Sequence, residues 1–332
     1  MQTFIHEQTR ENKNCVIQFF RALAIIAVVM IHTTPGGEWQ VICRPFINFS
    51  VATFLFLSGY LTKIGNNNWK AFCKKRIFRV IIPYLFWTIL YSLPAIKYNG
   101  IESLIKNIIT AKASVPLYYI FVYIQFVLLT PLLSKLAKSK YQYIGWLISP
   151  ISILIFKYYN LLTGTELNGH INLLWSDSCL GWFTFYYLGL LLGNGIIKRN
   201  FSSIVLTILY TLSIFVQIAE GYGWFLLGDS NCGTQLKLSS LLTSSLFLLY
   251  IYTILINGTF NIRSKFLILL GDYSFGIYLS HMMILRYSTL IPFYKHLPYP
   301  INSAIIILIS LLCCIIGYRI LGKRISGWLG LR

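Results

Sequence analysis

Two ionisable residues, Arg21 and His32, interrupt the first apolar segment of the chain, FFRALAIIAVVMIHTTPGG over residues 19–37. They are eleven positions apart, so a helix places them within about 20° of each other on one face, about 16 Å apart along the axis. Ionisable groups inside a membrane-spanning helix usually face a protein interior or a wet cavity. Imidazole exchanges a proton near neutral pH, so His32 is a candidate general base. The structural alternative is that Arg21 snorkels to the inner headgroups and His32 caps the helix end.

Two more arginines precede a later apolar segment, in FCKKRIFRVIIPY over residues 72–84. Arg76 and Arg79 are three positions apart, so a helix places them next to each other on one face. Two guanidinium groups at such a place would bind phosphate through paired hydrogen bonds. The alternative is an anchor for anionic lipid, and position alone does not separate the two interpretations.

A third polar group interrupts the apolar run TFLFLSGYL, residues 53–61. Gly59 lets two helix backbones approach closely, and the Ser58 hydroxyl can bond across helices. Helix packing alone is the structural alternative for this motif.

A polar stripe follows near the end of the chain, in LGDYSFGIYLSHMMIL over residues 270–285. Ser274, Tyr278 and His281 follow the spacing i, i+4, i+7, which gives one polar helix face. Such a face inside a span is a candidate substrate path. A structural histidine with satisfied hydrogen bonds is the alternative for His281.

The composition that surrounds these motifs is that of a membrane protein. Of the 332 residues, 56% are hydrophobic and 11% are charged, against about a quarter charged in soluble chains. The first sixteen residues lack the pattern of a secretory signal, so the first apolar segment is predicted to be a retained helix. A span needs about 20 mostly apolar residues, and the sequence predicts one all-α polytopic membrane domain over residues 1–332 with ten transmembrane helices. The predicted spans are 17–34, 41–62, 77–96, 117–134, 143–159, 179–197, 202–219, 238–257, 267–290 and 301–320.

The net charge of +19 follows the predicted topology. With both termini cytoplasmic, eighteen basic residues fall in inner segments and five in outer loops, as the positive-inside rule requires. The basic excess therefore predicts no nucleic-acid partner. The inner set is Arg10, Lys13, Lys63, Lys70, Lys74, Lys75, Arg76, Arg79, Lys135, Lys138, Lys140, Lys198, Arg199, Arg263, Lys265, Lys323, Arg324 and Arg332, and the outer set is Lys97, Lys106, Lys112, Lys237 and Lys295.

The acidic residues favour the opposite side of the predicted topology. They either solvate the outer loops or line an outer substrate cleft. Two of them, Glu166 and Asp177, are candidates to orient the imidazole of His32. The six acids of the outer side are Glu38, Glu102, Glu166, Asp177, Glu220 and Asp229.

The seven cysteines contain no CxxC pair and no metal-ligand spacing with histidine, so no metal site is predicted. Cys43, Cys179 and Cys232 fall toward the outer side of the predicted topology. They either pair in a disulfide or serve as small apolar residues.

Taken together, the motifs resemble acyltransferase family 3, a family of ten-helix integral membrane enzymes that acylate surface carbohydrates. Two positions depart from the pattern of many members: Gln18 stands where they have aspartate, and Tyr118 where they have tryptophan. The matching motifs are R-x10-H from Arg21 to His32, FLSGY at 56–60, R-x-x-R from Arg76 to Arg79, LYYIFVYIQFVLLTPLL at 117–133, FTFYYLGLLLG at 183–193 and GDYSFGIYLSH at 271–281.

The resemblance implies an acyl-coenzyme A donor, normally acetyl-coenzyme A, that enters from the cytoplasm. It implies a hydroxyl of a lipid-linked or cell-surface saccharide as the acceptor on the outer side. The chain is similar in length to the short enterobacterial acetyltransferases of enterobacterial common antigen or O-antigen. A bacterial cytoplasmic (inner) membrane is therefore the expected location, with membrane lipid and a saccharide as partners.

With a donor and an acceptor of these kinds, we hypothesise a role for each motif. Arg21 and His32 form the catalytic pair, with His32 as general base or, on a competing route, as the carrier of a transient acyl group. Arg76 and Arg79 bind the phosphates of the donor. The hydrogen-bond donors of Ser58, Gly59 and Tyr60 stabilise the oxyanion that forms at its thioester carbonyl. The residues assigned to the substrate path are Tyr118, Tyr119, Ser274, Tyr278 and His281.

Two functions from other classes fit the same sequence features. A transporter or flippase of a lipid-linked sugar would also have ten spans and intramembrane charges. Such a protein often has broken helices at matching positions of two repeats, and no repeat is evident here. A ligand-sensing membrane domain without turnover is the other alternative.

Overall fold

The computed structural model describes residues 2–65, 68–163, 178–258, 262 and 264–332, with side chains from residue 14 onward. Within these ranges the chain is helical and contains no β-strand. Short 3₁₀ turns precede several helices, and a π-helical turn, Leu154–Tyr158, separates α6 from α7. The α-helices are α1 Gln2–Thr33, α2 Glu38–Cys43, α3 Phe49–Tyr60, α4 Trp69–Thr110, α5 Tyr118–Ala137, α6 Gly145–Ile153, α7 Tyr159–Thr163, α8 Phe183–Gly193, α9 Ser203–Leu226, α10 Leu238–Asn257, α11 Lys265–Asp272, α12 Ser274–Ser288, α13 Pro292–Lys295 and α14 Ile301–Trp328.

In the described part of the chain, eight helical segments are long and apolar enough to cross a membrane. A ninth span results if α11 and α12, which are broken at Tyr273, count as one. The all-α polytopic membrane fold that the sequence predicts is therefore confirmed. The eight segments are Asn14–Thr33, Glu38–Tyr60, Trp69–Thr110, Val115–Ala137, Gln142–Thr163, Ser203–Leu226, Leu238–Asn257 and Ile301–Trp328.

The sixth predicted span, 179–197, corresponds to a shorter apolar helix, Leu180–Gly193. At 1.5 Å per residue its length is about 21 Å, less than the roughly 30 Å of a bilayer core. The helix ends where the carboxamide of Asn194 donates to the carbonyls of Thr62 and Leu190, each at 2.8 Å. The same carboxamide accepts from the backbone N–H of Ile64 at 3.0 Å. Because α8 is almost entirely buried, protein rather than lipid surrounds it.

The third predicted span, 77–96, is part of the much longer helical segment α4. Its backbone breaks at Gly100, with φ 68°, a conformation that glycine adopts without steric cost. The part after the break folds back on the part before it. The hydroxyl of Tyr84 donates to the carbonyl of Ile108 at 2.7 Å, and the Asn107 carboxamide donates to the Ser92 hydroxyl at 2.9 Å. Much of the predicted outer loop is therefore helical.

The chain divides into two compact units. The first unit consists of Met1–Gly65 and Pro131–Gly271, and the second of Asn66–Thr130 and Asp272–Arg332. In the first unit α3 packs against α1 and α8, and α9 packs against α10. In the second unit α12 packs against α4 and α14. The predicted site residues divide between the units, and each group is described within its own.

Glycines bring α3 and α8 unusually close together. A Cβ on Gly59 would overlap the carbonyl oxygen of Tyr186, and a Cβ on Gly189 would overlap that of Phe56. A third glycine, Gly193, lies in the same way against the backbone of Tyr60. Small residues at this spacing allow helix backbones to touch in a membrane protein. The GLLLG and FLSGY motifs are therefore the two sides of one helix contact.

Candidate active site

Arg21 and His32 share an interior face of α1. Both side chains are half-buried, and His32 lies in the last turn of the helix. Ile25 and Val28 lie between them on the same face and are only 0% and 3% exposed. Lipid-facing positions would leave these apolar side chains exposed, so this face looks into protein. That is the environment in which an ionisable pair within a span is usually functional.

The part of α1 that carries Arg21 is in close contact with Gly271. A Cβ on Gly271, in α11, would overlap the backbone carbonyl of Gln18, so the two helices touch there. Gln18 is one turn before Arg21, and its side-chain oxygen lies 3.5 Å from a guanidinium nitrogen of Arg21. A neutral amide therefore stands beside Arg21, at the position where many proteins with this motif have a carboxylate.

The C-terminal end of α1 is stabilised by side chains that donate to carbonyls of its last two turns. Thr33 donates to the carbonyl of Val29 at 3.0 Å, and Thr34 donates to that of Met30 at 2.5 Å. The guanidinium of Arg44 donates to the carbonyl of Ile31 at 3.2 Å. The carbonyl of Ile31 lies in the last turn of the helix, at the negative end of its dipole, so a cation is favourable there.

Arg44 is a residue that the sequence analysis did not assign to the site. It follows α2 in a 3₁₀ turn, Arg44–Phe46, inside the predicted span 41–62. An arginine within an apolar segment was the signal that could have identified it. Arg44 donates to the carbonyl of Ile31, which directly precedes His32 in the sequence. Arg44 and His32 both belong to the first unit.

The Ser58, Gly59 and Tyr60 motif lies in the same unit as His32. Gly59 faces the backbone of α8 and is in the body of α3, where a helical N–H is normally bonded four residues back. Packing is therefore the role that its geometry supports. Tyr60 is buried and its ring stacks on Phe56, with ring centroids 5.9 Å apart. Ser58 is half-buried.

Arg76 and Arg79 lie on α4 in the second unit. Arg76 is half-buried, and its guanidinium stacks over the ring of Phe72, 4.7 Å from the centroid. Arg79 is exposed. The stacking fixes the plane of the Arg76 guanidinium, and the Arg79 side chain is accessible to a ligand. Binding of phosphate by this pair stays a prediction.

The polar stripe of α12 faces the interior of the second unit. Ser274, Tyr278 and His281 are all buried. The Tyr278 hydroxyl donates to the carbonyl of Pro116. Nδ1 of His281 lies 3.0 Å from the carbonyl of Ile277 in its own helix, so this nitrogen carries the proton. These contacts explain Tyr278 and His281 as interior polar residues, and the substrate-path role stays a prediction.

The two tyrosines that begin α5 are more accessible. Tyr118 and Tyr119 are half-buried, and the Tyr119 ring meets that of Tyr278 edge-on, with centroids 5.5 Å apart. Of the residues predicted for the substrate path, these two are the ones with exposed surface in the second unit.

A buried lysine lies between the C-terminal end of α9 and the start of α10. Lys237 is 1% exposed, and its Nζ donates to the carbonyl of Cys232 at 2.7 Å. Burial lowers the pKa of Lys237, and the nearby carboxylate of Glu220 partly opposes this shift. Glu220 accepts from both the backbone N–H and the hydroxyl of Ser239. Glu220 is therefore part of a packed network and not a solvated loop acid.

Other predicted features have simple outcomes. The predicted orienting residues of His32, Glu166 and Asp177, fall outside the described residues. All seven cysteines are described, and none forms a disulfide, so Cys43, Cys179 and Cys232 are not paired with one another. Among the residues that the structure describes, no three His, Cys, Asp or Glu side chains come together as a metal site.

The fold and the α1 face define a polytopic, all-helical membrane protein with an arginine and a histidine turned into its interior. Comparison with protein families identifies it further: the acyltransferase domain of acyltransferase family 3 matches residues 16–319, and the chain belongs to this family. Comparison with curated proteins and with solved structures gave no match. Family membership indicates acyl transfer at a membrane and does not favour the transporter or flippase.

Proposed function

We propose that this protein moves an acetyl group from acetyl-coenzyme A to a hydroxyl of a lipid-linked or cell-surface saccharide, with His32 as general base. The observation that carries the proposal is the interior face of α1, on which Arg21 and His32 stand about three turns apart with buried residues between them. Membership of an acyltransferase family supports the reaction type. The site of action is the bacterial cytoplasmic membrane, such as that in which O-antigen precursors are made.

The donor enters from the side that carries most of the basic residues. Arg76 and Arg79 bind its phosphate groups, because guanidinium groups form paired, charge-assisted hydrogen bonds with phosphate oxygens. Arg21, in the first unit, is a third guanidinium of the kind that binds phosphate. The thioester, at the other end of the pantetheine arm, reacts at His32.

The chemical step needs one proton acceptor. His32 takes the proton of the saccharide hydroxyl as its oxygen attacks the thioester carbonyl. A carbon–oxygen bond forms, the carbon–sulfur bond breaks, and the proton passes from the imidazole to the departing thiolate of coenzyme A. The competing route forms an acyl-histidine first, and the saccharide then attacks that intermediate.

The developing negative charge on the carbonyl oxygen requires hydrogen-bond donors. Ser58 is the best placed of the motif residues, because it is half-buried in the same unit as His32 and carries a hydroxyl that can rotate. Tyr60 supplies a second hydroxyl from the same helix. Gly59 contributes close helix packing instead of an amide donor.

The acceptor approaches from the outer side of the membrane. In the second unit, Tyr118 and Tyr119 are our candidates to contact it, since an aromatic ring with exposed surface can stack on the apolar face of a sugar. Tyr278 and His281 fix the buried face of α12 through their interior contacts, and Ser274 is buried on the same face.

Replacement of the histidine tests the proposal. Purified His32→Ala protein, supplied with radiolabelled acetyl-coenzyme A and bacterial membranes that contain lipid-linked saccharide, should transfer at least about 100-fold less label than the wild type. The matched control is His296→Ala, since His296 is exposed outside the long apolar helices. Near-normal transfer by the His32 variant would refute the base assignment. Label trapped on His32 after acid quenching would select the acyl-histidine route.

A further inference from the structure

A buried hydrogen-bond network in the first unit centres on the hydroxyl of Ser240. This hydroxyl accepts from the carboxamide nitrogens of Gln217, at 2.7 Å, and Asn48, at 3.3 Å. It donates to the backbone carbonyl of Thr234 at 3.1 Å. The hydroxyl has a single hydrogen, so its donor capacity is used in full. It cannot serve the oxygens of the two carboxamides as well.

The oxygens of both carboxamides lack a donor in the described part of the chain. Asn48 is 2% exposed and Gln217 is 1% exposed, yet Oδ1 of Asn48 and Oε1 of Gln217 receive no hydrogen bond from any described residue. A buried acceptor without a donor is costly, and native proteins rarely keep one without a reason. Asn48 and Gln217 both donate to the hydroxyl of Ser240, and both keep an oxygen without a donor. This arrangement points to a ligand that supplies hydrogen-bond donors.

The network reaches the C-terminal end of α1. The backbone N–H of Asn48 donates to the carbonyl of Arg44 at 2.8 Å, so the two residues are one helical turn apart. The Asn48 carboxamide also donates to the carbonyl of Gly233, a residue that packs against the Arg44 side chain. Arg44 in turn binds the carbonyl of Ile31. A continuous set of contacts therefore joins the two amide oxygens to the residue that precedes His32.

We propose that Asn48 and Gln217 bind the saccharide acceptor, by accepting hydrogen bonds from its hydroxyl groups through Oδ1 and Oε1. The inference rests on the proposed function and adds a binding site to it. A sugar presents several hydroxyl donors on a rigid ring, and two neutral amide oxygens can accept hydrogen bonds from them. A pair of cations, such as Arg76 and Arg79, would instead suit an anionic ligand. An ordered water molecule would also supply donors to buried amide oxygens, so the experiment must separate the two.

The test combines two near-isosteric variants with deoxy sugars. Asn48→Leu and Gln217→Met are each expected to raise the KM for a methyl glycoside acceptor about tenfold. The KM for acetyl-coenzyme A and kcat at saturating glycoside should stay within about twofold of the wild-type values. Removing the contacted hydroxyl from the glycoside should cost the wild type about tenfold and the matching variant nothing, because that variant has already lost the hydrogen bond.

Asn194→Leu is the matched control. Its carboxamide oxygen and nitrogen are both bonded within the chain, so the variant should lower the melting temperature and leave the acceptor KM unchanged. If Asn48→Leu and Gln217→Met behave in the same way, the oxygens hold water and the assignment is wrong. Equal losses for deoxy glycosides in wild type and variants would also overturn it.

Calorimetric binding of the methyl glycoside separates this assignment from the proposed function. Glycoside binding that depends on Asn48 and Gln217, without any acetyl transfer by the wild type, would uphold the site and contradict the reaction. Acetyl transfer with an unaltered acceptor KM in both variants would uphold the reaction and overturn the site. Neither binding nor transfer would overturn both.

Discussion

The guanidinium of Arg44 donates a hydrogen bond of 3.2 Å to the backbone carbonyl of Ile31, the residue directly before His32. This bond satisfies one of the carbonyls that a helix leaves open at its end, and it sets a positive charge at the negative end of the α1 dipole. Arg44 therefore acts as a positioning residue for the last turn of α1. Because that turn carries the imidazole, a loss of the bond should be felt in the chemical step.

Replacing Arg44 tests this role. Arg44→Met should lower kcat for acetyl transfer about tenfold with little change in the KM for acetyl-coenzyme A, since a hydrogen bond from a charged group is worth about 1.5–3 kcal/mol. Arg44→Lys, which keeps the charge, should recover part of the loss. Arg286→Met is the control, because Arg286 is an exposed arginine in the last turn of α12. Steady-state kinetics with an unchanged kcat for Arg44→Met would remove the positioning role.

Replacing Arg76 and Arg79, near the start of α4, tests whether they bind the phosphates of acetyl-coenzyme A. A double Arg76→Gln, Arg79→Gln variant should raise the KM for acetyl-coenzyme A at least about tenfold and leave kcat nearly unchanged, because bonds to phosphate are lost far from the thioester. Acetyl-dephospho-coenzyme A lacks one phosphate. Its KM should therefore differ less between the wild type and the variant than the KM for acetyl-coenzyme A does.

The control for this charge change is the neighbouring lysine pair. Lys74 and Lys75 are exposed on the same helix, so the double Lys74→Gln, Lys75→Gln variant removes equal charge from the same region. Its donor KM should stay close to the wild-type value at physiological salt. Equal increases in both double variants would reduce the arginines to a general basic surface.

Helix packing at Gly59 gives a prediction on stability. Gly59→Ala places a methyl group on the carbonyl of Tyr186, so α3 and α8 must separate. We expect destabilisation of about 1–3 kcal/mol, as for other overpacked cores, measured as a lower thermal unfolding midpoint in detergent. Gly223→Ala is the control, since nothing lies within 4 Å of its added Cβ. Similar midpoints for the two variants would contradict the close contact.

Burial of Lys237 predicts a pH dependence of stability. Its folded-state pKa lies below the unfolded value because burial disfavours the ammonium form. The unfolded chain therefore binds more protons between these two pKa values, and the free energy of unfolding rises with pH through that window. The rise from this one group reaches at most about 1.4 kcal/mol per pH unit and ends near the unfolded pKa of about 10.4. Above neutral pH, the unfolding midpoint of Lys237→Met should increase less steeply with pH than that of the wild type. Parallel pH dependences for the two proteins would contradict a lowered pKa of Lys237 in the folded state.

Much of the fold follows from one-dimensional features of the sequence. Apolar runs identify the spans because the bilayer requires their length, and the R-x10-H spacing places Arg21 and His32 on one face because helix periodicity is fixed. The limits of α8 and α4 do not follow in this way. Helix α8 ends where the Asn194 carboxamide is hydrogen-bonded to Thr62, and α4 reverses direction at Gly100. Both depend on contacts with other elements.

The candidate site was only partly predictable for the same reason. Gly59 fitted two roles in the sequence, and the choice depends on Gly189, which lies opposite it only after folding. Arg44 falls inside a predicted span, and the sequence pattern does not indicate that it bonds to Ile31. The amide of Asn48 meets Ser240 across 192 positions of the chain. No local pattern reveals such a pairing, whereas local patterns did reveal the motifs that identify the family.

The central claim of the proposal is that the donor enters from the side of the basic loops and that His32 acts on an acceptor supplied from the other side of the membrane. Proteoliposomes of known orientation test it most directly, with acetyl-coenzyme A outside, a methyl glycoside enclosed, and Lys74 labelling to report which face is outward. With the basic loops outward, we predict coenzyme A release outside and acetylated glycoside inside, both lost in His32→Ala. Acetyl transfer only when donor and glycoside share one side of the membrane would contradict the account.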